Sequence, residues 1–105
     1  MEYIQSYEAL NQLIHRAEPV LIFVSMPTCS VCHAVAPRVQ ALAKEMEISF
    51  YELDASRVKE AAGQLSLFTS PVVMLYRKGR EYHRQARVIN FEELEKRIQE
   101  LQTMR

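Results

Sequence analysis

Glycine and proline are scarce in this 105-residue chain, two and four residues respectively, which leaves no flexible linker or low-complexity segment. Basic and acidic residues cancel, thirteen of each, so overall charge makes no case for nucleic acid or a membrane as partner. No apolar run approaches the roughly 20 residues that cross a bilayer. The opening Met1-Glu2-Tyr3-Ile4-Gln5-Ser6 lacks the basic flank and apolar core of a signal peptide, so a cytoplasmic protein is expected. Cysteine is limited to Cys29 and Cys32. In a reducing compartment, a lone pair at that spacing is catalytic or metal-binding rather than a structural staple. Nearly half the residues are apolar, enough for one compact domain over residues 1–105 with a single core.

What is there is organised around residues 20–37. The unbroken apolar run Val20 to Val24 reads as a strand buried on both faces. Ser25, Met26 and Pro27 end it, both cysteines follow, and a helical pattern begins at once. A Cys-x-x-Cys pair at a strand-to-helix junction sets the first thiol at a helix N-terminus, where free N–H groups and the helix dipole favour a thiolate. The second thiol, one turn on, lies within disulfide reach.

The rest of the chain alternates around that strand. Ser6 to Arg16 is expected to be helical with Ser6 as cap, then helix Ser30 to Glu45 with a kink at Pro37, strand Ile48 to Leu53 and short helix Ser56 to Gln64. Pro71 to Arg77 and Glu81 to Val88 form a hairpin around Lys78-Gly79-Arg80. Asn90 caps a last helix, with Glu93 at the capping-box position and Phe91, Leu94, Ile98 and Leu101 facing inward. A minor strand at Glu2 to Ile4 completes the expectation.

The strand before the cysteines, Cys29-Ser30-Val31-Cys32, Ala36-Pro37 beyond them, and Thr69-Ser70-Pro71 before a later apolar strand occur in order. Together they resemble the thioredoxin family over nearly the whole chain. The resemblance implies an α/β thioredoxin fold, a central mixed sheet of four to five strands flanked by four helices. It implies a thiol–disulfide oxidoreductase that reduces protein disulfides, Cys29 attacking and Cys32 resolving. The partners implied are protein disulfides and a recycling reductase such as thioredoxin reductase, the protein itself being a monomer. It also implies a cis bond before Pro71, with the Ser70 backbone open to an extended substrate segment. Met26, Pro27 and Thr28 would form the opposite rim of that groove, and Arg87 would line it. Glutaredoxin-like reduction with a small thiol and a non-enzymatic redox switch are the alternatives.

No cofactor beyond the Cys29–Cys32 disulfide is expected. Two thiolates and His33 give at most three ligands, short of a tetrahedral zinc site, and His15 and His83 lie far off in sequence. Cys29 to His33 also spells the c-type haem attachment pattern, which fits poorly between a buried strand and a helix.

The departures from the family are chemical. Thr28 stands where thioredoxins carry a tryptophan, and the chain has no tryptophan at all. Phe23 and Phe50 occupy the places of a buried aspartate and the lysine that pairs with it, and Arg87 that of a glycine. Without a carboxylate at position 23, the Cys32 proton is expected to go to water or the departing thiolate, giving slow resolution near pH 7. Glu52 is the other place to look for a base.

Overall fold

The computed structural model describes residues 3–104. Four helices and four strands alternate as α1 (Tyr7–Ile14), β1 (Val20–Ser25), α2 (Ser30–Glu45), β2 (Ser49–Asp54), α3 (Lys59–Gln64), β3 (Val72–Arg77), β4 (Arg80–Ala86) and α4 (Phe91–Gln102). The sheet order is β2-β1-β3-β4, with β1–β2 parallel and the other pairs antiparallel. The order of elements and the mixed sheet are those expected from the sequence. The expected minor strand survives as a single parallel bridge of Tyr3 to Glu52, with the Ile4 N–H donating to the Glu52 carbonyl at 2.8 Å. Glu2 lies outside the described residues.

β1 is central because it has partners on both sides and no polar residue before Ser25, and all six of its residues are buried. Alternation along it divides the core. Val20, Ile22 and Val24 pack with Leu10 and Ile14 of α1 and Ala61 of α3. Leu21 and Phe23 pack with Cys32, Ala36 and Val39 of α2 and Leu94 and Ile98 of α4. The sheet is thus covered on both faces, and α2 begins at the carboxyl end of β1, where a doubly covered sheet places its ligands.

Some boundaries shift for local reasons. α3 starts at Lys59 rather than Ser56, because the Asp54 carboxylate accepts from both the N–H and the hydroxyl of Ser56, at 2.9 and 2.6 Å. That turn competes with the first helical turn. β4 ends at Ala86 rather than Val88, since Arg87 adopts φ +70° and turns its N–H to the Pro71 carbonyl at 2.8 Å. The hairpin loop is the two residues Lys78 and Gly79, both at positive φ (53° and 80°), the backbone of a type I′ turn. A Cβ at Gly79 would lie 2.6 Å from His15 Cδ2, so any side chain there would have to displace the His15 ring as well as adopt a positive φ. α2 runs on through Pro37 as one helix.

Candidate active site

Cys29 is the N-cap of α2: its backbone is extended (φ −94°, ψ 99°) and its sulfur accepts from the Cys32 N–H at 3.2 Å. The two cysteines form a disulfide with Cα atoms 5.3 Å apart, inside the usual span for such a bond. Their environments differ. Cys29 is half-buried, whereas Cys32 is 0% exposed and packs in the core beside Phe23. One sulfur is open to a partner and the other is not.

The remaining sequence-derived site residues gather at the same end of the sheet. The Cys29 N–H donates to the Met26 carbonyl at 3.1 Å, closing the turn that joins β1 to α2. Met26 is half-buried and leans on the core face shared with α1, while Pro27 and Thr28 are exposed. His33 is exposed, and its Nε2–H donates to the Pro27 carbonyl at 3.1 Å. The bond between Ser70 and Pro71 is cis. It sits next to β1, because Val72 pairs with Val24. No hydrogen bond among the described residues uses the Ser70 backbone. Arg87 is exposed, tied to Pro71 by its backbone alone. Three apolar side chains stand in solvent around these segments: Val31 between the cysteines at 51% exposure, where the apolar pattern of the helix predicts an inward face, Phe68 at 78% and Val88 at 82%. An apolar residue just before Thr69-Ser70-Pro71 and one just after Arg87 were the available signals.

Phe23 and Phe50 stack with ring centroids 6.4 Å apart, filling the sheet face under α2. A different polar pair lies further along the same two strands. The Ser25 hydroxyl donates to Glu52 Oε2 at 2.7 Å, and both residues are buried, Glu52 at 6% exposure. Glu52 Oε1 has no partner among the described residues. Leaving a buried polar atom unpaired costs about 1–3 kcal/mol, so its retention calls for a reason. The carboxylate borders a cavity of about 180 Å³ that it shares with Cys32, Tyr3, Ser25, His33, Ala36 and Pro37. Ser25 was not foreseen from sequence, because pairing it with Glu52 requires the β1–β2 register.

Burial, with Glu81 adding to it, pushes the Tyr76 phenol up to about 12, and Tyr76 pairs with Val20 at the far end of β1. Burial lowers His83. No group of three or more His, Cys, Asp or Glu among the described residues is placed to hold a metal ion. No helix among them is long and apolar enough to cross a membrane.

Comparison with known proteins agrees with this geometry. The family model for thioredoxin matches residues 3–100. The chain is 34% identical over 99 residues to the thioredoxin-like protein YdfQ of Bacillus subtilis, covering 93% of this chain and 88% of that protein. The thioredoxin of Fasciola hepatica superposes with a TM-score of 0.85 at 27% identity, over 96% of this chain and 99% of that one. A mutant thioredoxin of Halobacterium salinarum shares the fold at a TM-score of 0.87 and 17% identity, over 98% and 91% of the two chains.

Proposed function

The chain belongs to the thioredoxin family of oxidoreductases, and from that premise we propose that it reduces protein disulfides by dithiol exchange, Cys29 attacking and Cys32 resolving. The observation that carries the reading is the unequal access of the paired sulfurs, half-buried Cys29 at the helix start and enclosed Cys32 behind it. In the reduced protein, unpaired N–H groups at the start of α2 favour a Cys29 thiolate. It attacks a substrate disulfide, forming a mixed disulfide and expelling the first substrate thiolate. Cys32 then attacks the Cys29 sulfur, closing the Cys29–Cys32 bond and releasing the second substrate thiol. Two electrons pass from the dithiol to the substrate. A recycling reductase of the thioredoxin reductase type returns the dithiol.

The substrate segment lies extended beside Ser70, whose backbone has no partner among the described residues, and adds to it as a short strand. Met26, Pro27 and Thr28 form one rim, and Pro71 and Arg87 the other. Val31, Phe68 and Val88 supply the apolar contact that an unfolded or extended protein segment offers. The protein acts as a monomer, without a cofactor beyond its own disulfide.

The test is turnover of a protein disulfide, such as insulin, in the presence of a recycling reductase. Steady reduction that disappears in Cys29→Ser is expected. A dithiol that oxidises and reduces without passing electrons to any protein disulfide would make the chain a redox switch instead.

A further inference from the structure

We infer that Glu52 is the proton acceptor for Cys32, a role its place on β2 allows now that Phe23 fills the sheet position beneath the resolving thiol. This assignment rests on the disulfide-reductase reading above. Glu52 is the only carboxylate lining the cavity it shares with Cys32 among the described residues. One oxygen is held by the Ser25 hydroxyl, which fixes the carboxylate, and the other is buried without a partner among the described residues. A carboxylate kept in that state beside a thiol that has to lose its proton is placed as a base, acting directly or through one water. Phe23 and Phe50 offer no proton acceptor on the neighbouring part of the same face. The groups that line the two adjoining cavities with Glu52 are Ser25 and Met26 from β1 and its following turn, Cys32 and His33 from α2, Tyr3 from the N-terminal segment, Asp54 at the end of β2 and Arg57 in the turn after it.

In the step assigned, the substrate is joined to Cys29 by a disulfide and Cys32 is a thiol. The Cys32 S–H bond breaks and its proton moves to Glu52 Oε1. The Cys32 thiolate attacks Cys29 Sγ, so the Cys29–Cys32 bond forms as the Cys29–substrate bond breaks. The substrate sulfur leaves with the bonding electron pair and is reduced. The proton on Glu52 then passes to that thiolate or to solvent, and the carboxylate is restored.

The experiment follows mixed-disulfide formation and decay by stopped flow with a protein disulfide from pH 6 to 9, in the native protein and in Glu52→Gln. The amide keeps the size of the carboxylate and still accepts from Ser25, but it takes no proton. In the native protein, resolution is expected to be nearly flat from pH 7 to 9. An unassisted cysteine with a pKa of about 8.5 is only about 3 per cent thiolate at pH 7. Glu52→Gln should therefore resolve roughly thirtyfold more slowly at pH 7, climb nearly tenfold to pH 8, and level off close to the native rate by about pH 9. Attack by Cys29, read from mixed-disulfide accumulation in Cys32→Ser, should be unchanged by Glu52→Gln. Equal pH profiles in the native and Glu52→Gln proteins overturn the assignment. So does a native profile that itself climbs tenfold per unit from pH 7, a measurement that stands even if the variant does not fold. Loss of the plateau in His33→Gln would move the role to His33. Failure of the native protein to form any mixed disulfide would instead overturn the reductase reading.

Discussion

Two helix starts in this molecule are built to one plan with different atoms. α4 opens on Asn90, whose side-chain oxygen accepts from the Glu93 N–H at 3.0 Å, and carries Glu92 and Glu93 in its first turn. α2 opens on Cys29, whose sulfur accepts from the Cys32 N–H at 3.2 Å, and has no acid in its first turn. Position for position, Cys29 stands where Asn90 stands, Val31 where Glu92 stands, and Cys32 where Glu93 stands. At α4 the free N–H groups and the dipole are spent on oxygen and carboxylate, which steadies the helix. At α2 the same groups are left facing a sulfur, so the stabilisation they offer is available to a thiolate when the disulfide opens. A helix terminus is a charge-stabilising device, and the capping residue decides whether it serves the fold or the chemistry.

The largest effect that sharpens this contrast is Cys29→Ser, which should abolish turnover of a protein disulfide while leaving stability within about 1 kcal/mol of the reduced native protein, since serine is a good cap. Chemical denaturation in excess reductant measures the second half, and a loss well beyond that would make the sulfur a structural element of α2. Next comes alkylation of the reduced protein with iodoacetamide near pH 7, read by peptide mapping. Cys29 should react at least on the order of tenfold faster than the enclosed Cys32, and the reverse order would exchange their roles. Asn90→Ala should cost about 1 kcal/mol, seen as a fall of roughly 4–8 °C in Tm, with turnover unchanged. A drop in turnover at constant fold would mean the two helix starts are not separable. The smallest expected effect is Val31→Glu, which gives α2 the acid that α4 has. It should steady the helix by about 0.3–1 kcal/mol and disfavour the Cys29 thiolate by a similar amount. Alkylation of Cys29 should then slow about twofold to fivefold, and unchanged alkylation would remove the dipole from the explanation.

Both helix starts could be read from sequence, because a cap and its N3 partner are three residues apart and need no knowledge of the fold. The same holds for β1, where five consecutive apolar residues can only be interior, and for the Lys78-Gly79 turn. What escaped was set by longer range or by competing short-range bonds. The Asp54–Ser56 turn took the first residues away from α3, and the left-handed backbone at Arg87 cut β4 short. The exposed Phe68 and Val88 carry no periodic signal, since neither lies in a helix or strand. Glu52 could be named only as an alternative to water. Its burial and its bond to Ser25 depend on β1 and β2 pairing in parallel with Phe23 opposite Glu52 and Ser25 opposite Asp54.

The stacked rings of Phe23 and Phe50 also make each other hard to replace. Putting an acid at position 23 alone would strand a charge against Phe50 in the interior, at a cost of several kcal/mol. Putting a lysine at position 50 alone would do the same against Phe23. Removing either ring leaves a void, and losing a buried phenylalanine costs about 3–5 kcal/mol, out of a total stability of about 5–15 kcal/mol. Either single substitution toward a carboxylate–lysine pair is therefore expected to cost a large share of the stability of the fold.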